Sequence, residues 1–360
     1  MDFVGELLSW YRRNKRSLPW RGTKDPYKVW LSEIILQQTR VEQGTAYYHA
    51  FTEKYPDVHA LARASEDQVL KTWEGLGYYS RARNLHFTAK KIVKELGGKF
   101  PTTHAGLLEL KGVGDYTASA ISSICFNEAQ PVVDGNVYRF LSRYFGIKTP
   151  IDSTKGKKEF RAIAEELIPQ KDPGTFNQAM MEFGGRHCKP ANPDCGACVF
   201  RLSCVALKKK LVTTLPVKEK KTKVTDRYFY YLVIRNGKNT FIRQRTGKGI
   251  WQGLFEFPVM ETDNRVDPKA TMKSPAWKKL VGGLKLQSMN ISEEHVHILS
   301  HQKLHIRFVV AEVKGNVSLN GYKRVMISAL DKYAFPIVIK KNLAELFTPA
   351  TRRRSDAAKY

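Results

Sequence analysis

Acidic side chains are in short supply in this sequence. Its 360 residues hold 34 Asp and Glu against 60 Lys and Arg, a formal net charge of +26. So one-sided a balance points to a polyanionic partner, either nucleic acid or an anionic membrane surface. Long apolar runs are also missing: none approaches the roughly 18 residues that a membrane-spanning helix needs. The opening Met1-Asp2-Phe3-Val4-Gly5-Glu6 has no basic segment leading into an apolar core, so no secretory signal is visible. What these absences leave is a soluble, cytoplasmic, nucleic-acid-binding protein. The apolar fraction of 42% is ordinary for a folded chain, and the length allows two domains, each with its own core.

One stretch organises the first of these. An apolar segment ends at Leu110, and Gly112-Val113-Gly114 then forces a tight turn. Asp115 follows as an N-cap, and a small-residue apolar segment from Ala118 to Phe126 reads as the next helix. Glycines there let the backbone approach a partner closely, and the first amides of a helix present its positive dipole end, which suits a phosphate oxygen. Further on, Val132-Val133-Asp134-Gly135-Asn136-Val137 sets a single carboxylate between β-prone residues and a glycine, an unusual place for a solvated charge.

Upstream, residues 2–13 read as an amphipathic helix through Phe3, Leu7, Leu8 and Trp10. Asp25-Pro26 starts another, a capping side chain followed by a proline at the first turn. From Tyr27 to about Gln38 this helix carries Trp30, Leu31, Ile34 and Ile35 as a buried stripe. Glu33 lies among them. Such a residue is either an exposed helical glutamate or a carboxyl at the edge of an apolar pocket, where burial raises its pKa enough for general-acid work. Residues 46–126 are mostly helical. They are interrupted by Gly75-Leu76-Gly77-Tyr78-Tyr79-Ser80-Arg81, which is either a packed loop or an aromatic wedge beside cations, able to enter a base stack.

Cysteine is sparse, five residues in all, yet four of them form Cys188-x6-Cys195-x2-Cys198-x5-Cys204. Disulfides are disfavoured in a cytoplasmic chain, so a metal centre is expected. The spacing lacks the paired short repeats usual for zinc, and the residues by themselves leave zinc and an iron–sulfur cluster open. Cys125, in an apolar helical run, reads as a buried residue.

Residues 208–223 contain seven lysines and one glutamate, a hydrated basic connector. Beyond it the texture becomes α+β. Tyr228–Ile234, Asn236-Gly237 and Thr240–Arg245 read as strand, turn and strand, and Leu304–Val310 as a further strand. The arginines of 352–354 mark a basic, disordered tail.

Leu110-x-Gly112-Val113-Gly114-x-Tyr116-Thr117-Ala118 followed by Val133-Asp134-Gly135-Asn136-Val137 resembles the helix-hairpin-helix superfamily of DNA glycosylases, and within it the MutY-type adenine DNA glycosylases. Ser32-Glu33-Ile34-Ile35-Leu36-Gln37-Gln38-Thr39 is similar to the same family's acid motif. The cysteine spacing is similar to its 4Fe-4S loop. Trp251-x-Gly253-Leu254-x-x-Phe257-Pro258 resembles the Nudix superfamily, although the closely spaced glutamates of the Nudix catalytic box are absent. The resemblance covers roughly residues 1–345.

It implies an all-α helix-hairpin-helix catalytic domain over 1–207, with its hairpin at 110–118 and iron–sulfur loop at 188–204. A basic linker follows over 208–225, then an α+β Nudix-like lesion-recognition domain over 226–347 and a tail over 348–360. It also implies a monomeric, monofunctional adenine DNA glycosylase that acts on double-stranded DNA containing A·8-oxoguanine or A·G. In that reading Glu33 protonates the adenine and Asp134 stabilises an oxocarbenium-like sugar. Tyr116 hydrogen-bonds Asp134, and Asn136 orients the substrate or water. Tyrosine at 116 stands where endonuclease-III-type relatives carry an imine-forming lysine. Gln38, Thr39, Tyr78, Lys111, Gly112, Gly114, Ser300 and His301 would contact DNA, and Cys188, Cys195, Cys198 and Cys204 would hold the cluster. Leu299 replaces the family's phenylalanine before Ser300-His301. The competing readings are a glycosylase for another mismatch, such as thymine, and a lesion-binding protein without catalysis.

Overall fold

The computed structural model describes residues 2–219 and 224–348; the tail expected at 348–360 lies outside them from residue 349 onward. The chain divides into two compact units, Met1–Ala64 with Arg83–Lys221, and Ser65–Ala82 with Thr222–Tyr360. None of the described helices is long and apolar enough to cross a membrane.

The first part of the chain is helical: α1 Phe3–Asn14, α2 Pro26–Leu36, α3 Val41–Lys54, α4 Val58–Arg63, α5 Glu66–Thr72, α6 Ser80–Leu96, α7 His104–Leu108, α8 Asp115–Phe126, α9 Gly135–Phe145, α10 Thr154–Leu167, α11 Pro173–Arg186 and α12 Val205–Lys208. Their starts follow capping chemistry. Asp25 accepts from the Tyr27 amide at 2.9 Å with Pro26 at the first turn, and Asp172 accepts from Thr175 ahead of Pro173. The hairpin departs from expectation in one respect. Gly114, not Asp115, is the N-cap of α8. Asp115 is instead the first helical residue, drawn into an ion pair with Arg161 at 2.9 Å, with the His104 ring nitrogen 3.2 Å away.

One core of this unit joins α1, α9, α10 and α11 through Leu7, Trp10, Phe140, Phe160, Phe176 and Phe183. Two glycines let its helices touch. A Cβ on Gly184 would lie 2.5 Å from the Asn136 carbonyl oxygen, and one on Gly174 would lie 2.7 Å from the Ile124 Cα. Helix α11 is therefore seated directly against the start of α9 and the end of α8. Leu215 is buried, Arg143 donates to its carbonyl at 3.1 Å, and Ile151 donates to Val217 at 3.0 Å. Much of the lysine-rich stretch after 208 thus runs along the helical unit.

The second unit carries β1 Thr225–Arg235, β2 Asn239–Gln244, β3 Phe255–Glu256, β4 Val259–Thr262, β5 Leu286–Ile291, β6 His295–Ile298, β7 Gln302–Val313 and β8 Lys323–Met326. A five-stranded sheet has the order β4-β1-β7-β5, with β6 also on β7, and a three-stranded sheet has the order β3-β2-β8. β1 and β7 are parallel from Thr225↔Gln302 to Arg235↔Glu312. Six consecutive β1 residues, Phe229 to Ile234, are buried, as befits a strand flanked by β4 and β7 and covered on both faces. The expected strand-turn-strand at 228–245 forms its turn through an Asn236↔Asn239 bridge. Its two strands then part into different sheets. Segment 65–82 belongs here: Glu74 accepts from the Phe335 amide at 2.8 Å, Lys71 donates to the Tyr333 carbonyl at 3.0 Å, and Gln244 donates to Asp67 at 2.7 Å.

Candidate active site and cysteine loop

Helix α2 is apolar nearly all round, with Val29, Trp30, Leu31, Ile34 and Ile35 buried. A helix of that kind is enclosed by protein, and Glu33 is enclosed with it, 8% exposed. Burial pushes its carboxyl up to about 7. The nearby Asp134 charge adds to the shift, while the Tyr116 hydroxyl and the Arg21 charge oppose it.

Asp134 is held by the start of α9. Its Oδ1 accepts from the Asn136 and Val137 amides at 2.9 and 2.8 Å, and its Oδ2 accepts from Asn136 Nδ2 at 2.8 Å. Burial raises its pKa, against the pull of those donors and of Arg139. Because the cap occupies this carboxylate, the Tyr116 hydroxyl does not bond to Asp134 as the sequence led us to expect. It donates to Met181 Sδ at 3.3 Å, and of the two carboxylates Glu33 acts on it more strongly than Asp134. Burial, with the Glu33 and Asp134 charges, holds the Tyr116 phenol well above its usual range, so it is a neutral hydroxyl near pH 7. Glu33, Tyr116, Asp134 and Asn136 thus form one constellation from α2, α8 and α9.

A cavity of about 400 Å³ opens between the 15–24 segment and α11, with Arg16, Leu18, Arg21 and Gln178 in its lining; Glu33, Tyr116, Asp134 and Asn136 do not line it. Arg21, Glu182 and Gln178 were not singled out from the sequence. The 161 residues between Arg21 and Glu182 hide that pair, and only the run Leu18-Pro19-Trp20-Arg21 marks the segment as more than a connector.

The remaining expected residues fall into two groups. In the first unit, Gln38 is exposed with a φ of 55° just past α2, and Thr39 is half-buried. Gly112 has a φ of 83° and faces Asn84, while the exposed Lys111 ammonium lies 4.4 Å from the Phe87 ring centre. Gly114 caps α8. In the second unit, Tyr78 is 48% exposed at a φ of 47°, a costly conformation for a bulky side chain. Arg81 lies over its ring, and its hydroxyl is hydrogen-bonded to Ser300 Oγ. Ser300 and His301 are exposed in the tight turn joining β6 to β7, where Leu299 donates to the Gln302 carbonyl at 2.8 Å.

Cys188, Cys195, Cys198 and Cys204 line a single cavity with Phe140, Phe183 and Arg143. No disulfide joins them. Among the described residues no three Cys, His, Asp or Glu side chains gather around one ion position. Four thiols lining one cavity are a donor set that a metal centre could take. Arg143 lies 3.5 Å from Cys188 Sγ and donates to the Lys189 carbonyl at 2.7 Å, and Arg139 donates to the Cys188 carbonyl at 2.8 Å. Helix α9 thereby anchors both Asp134 and the cysteine loop.

Residues 31–170 match the model of the HhH-GPD superfamily base excision DNA repair proteins, and residues 230–345 match the NUDIX domain. A thermostable thymine-DNA glycosylase structure superposes with a TM-score of 0.54 at 29% identity, covering 57% of this chain and 95% of its own. Fold and site thus define a helix-hairpin-helix base excision repair protein with a Nudix-like second domain. The adenine DNA glycosylase of Buchnera aphidicola subsp. Schizaphis graminum is 36% identical over 83% of this chain and 84% of its own. That of Mus musculus is 34% identical over 84% and 69%. The chain belongs to the adenine DNA glycosylase family.

Proposed function

We propose that this protein removes adenine paired with 8-oxoguanine or guanine by hydrolysing its N-glycosidic bond, leaving an abasic site. The observation that carries the reading is Glu33, a buried carboxyl whose pKa of about 7 keeps a substantial protonated fraction at neutral pH. A general acid needs that poise. Glu33 gives its proton to the departing adenine at N7, and the neutral Tyr116 phenol stands beside the carboxyl. Asp134, fixed by three donors, places a negative charge to stabilise the oxocarbenium-like sugar or to bond to it. Asn136 positions substrate or water. Tyr116 has no amine, so no imine forms and no strand is cut.

The target base must leave the duplex to reach these groups. Tyr78 is the wedge, Lys111 and the amides at Gly112 and Gly114 hold phosphate, and Gln38 and Thr39 probe the duplex beside the lesion. Ser300 and His301 read the base opposite. Cys188, Cys195, Cys198 and Cys204 hold a 4Fe-4S cluster, which ties their loop together and takes no part in hydrolysis. The protein works as a monomer in the compartment that holds the DNA.

Duplexes carrying A·8-oxoguanine are incubated with the protein, and each sample is divided between hot alkali and no treatment. Breaks only after alkali are expected. Breaks without alkali would mean a lyase, and excision from T·G but not from adenine pairs would point to the thymine-specific alternative.

A further inference from the structure

Glu182 is 1% exposed, charged, and unused by the proposed chemistry. Its Oε1 accepts from the Arg16 amide at 3.1 Å and Arg16 Nε at 2.8 Å. Its Oε2 accepts from Arg16 Nη2 at 2.8 Å and Arg21 Nη2 at 2.7 Å. Burial would raise this carboxyl, but the two guanidiniums hold it at about 2. No helix or strand spans 15–25, so side-chain bonds must fix the segment that walls the 400 Å³ cavity. Arg21 is secured twice more, by donating to the Arg16 carbonyl at 3.2 Å and by lying over the Tyr11 ring at 5.5 Å. Arg21 is also the cation that bears on Glu33. A single buried carboxylate therefore fastens the cavity wall and offsets a positive charge that acts on the acid.

We propose that Glu182 is a positioning residue for base excision, holding the 15–24 segment in place and balancing the Arg21 charge that acts on Glu33. This deepens the reading of Glu33 as the acid and rests on it. The groups facing Glu33 are Tyr116, Asp134, Arg21 and Cys125, and those facing Glu182 are Arg16, Arg21 and the Tyr11 phenol. In Glu182→Gln the amide still accepts hydrogen bonds, and Arg21 keeps its other two contacts, so uncompensated positive charge remains near Glu33. Its ionised form is then favoured, and the acid is lost at lower pH. In Arg21→Gln the cation is gone and the effect reverses.

The test is the pH profile of single-turnover excision from A·8-oxoguanine for the intact wild-type protein and both variants. The alkaline limb should move down in pH for Glu182→Gln and up for Arg21→Gln, each on the order of half to one unit. Glu182→Asp should restore part of the wild-type profile. A merely structural Glu182 would lower the rate and thermal stability while leaving the limb in place, and that result overturns the proposal. So does movement of both limbs in one direction. Should Glu182→Gln not fold, an unmoved limb in Arg21→Gln is enough to overturn it. A wild-type protein that excises no adenine would instead refute the parent reading.

Discussion

Glu33 illustrates how a side chain can be placed against its own stability. Its carboxyl ionises near 7 in the folded protein, against 4.5 when exposed, so the folded state binds the proton more tightly. The sign follows by linkage: its contribution is intact below about 4.5 and is lost as the pH rises through about 7. Each unit corresponds to about 1.4 kcal/mol, so above pH 8 the buried charge costs on the order of 3 kcal/mol. Glu33→Gln should therefore raise the melting temperature at pH 8 and change it little at pH 5, as thermal unfolding at both values will show. The sequence carried half of this. A glutamate inside an all-apolar helix is visible in Trp30-Leu31-Ser32-Glu33-Ile34-Ile35, and its motif resemblance names the role. An N-cap aspartate at 134 was legible from Asp134-Gly135-Asn136, but the hydroxyl's surroundings were not, because Glu33, Tyr116 and Asp134 come from three elements whose packing no local pattern gives. At the same scale, Tyr116→Lys should supply the missing amine, so that borohydride traps a covalent complex with DNA; no trapped complex would show that position 116 does not face the sugar.

Among the elements, the placement of α9 decides the site, because its first turn holds Asp134 and Asn136 while Arg139 and Arg143 reach the cysteine loop. Helix α11 fixes α9 through Gly184, where a side chain would meet the Asn136 carbonyl at 2.5 Å. Gly184→Ala must push the two helices apart, so a loss of about 1–3 kcal/mol in chemical denaturation is expected, with slower excision. Unchanged stability and rate would mean that the contact yields freely. Helix starts were readable where the chemistry is local, at Asp25-Pro26. The cap at Gly114 was not, because Asp115 has distant partners in Arg161 and His104. The strands after Asn236-Gly237 were legible as strands, but their separation into two sheets is settled by Val325 and its neighbours some eighty residues away.

For the molecule as a whole, the net charge of +26 predicts salt-dependent DNA binding. Four phosphate contacts would weaken affinity by on the order of 10²-fold between 50 and 200 mM salt, which fluorescence anisotropy can follow; a flat response would remove the electrostatic account. The grouping of 65–82 with the second unit had no sequence signal, since its ties to Tyr333, Phe335 and Gln244 cross about two hundred residues. A fragment ending at 219 should thus be cut by protease within 65–82 more readily than the whole chain. The central claim is that Glu33 is the acid, and the most direct measurement is single-turnover excision of adenine opposite 8-oxoguanine by Glu33→Gln, alongside its affinity for the same duplex. The account predicts binding like that of the wild type with excision slower by about 10²-fold or more. Excision within a few-fold of the wild-type rate would contradict it.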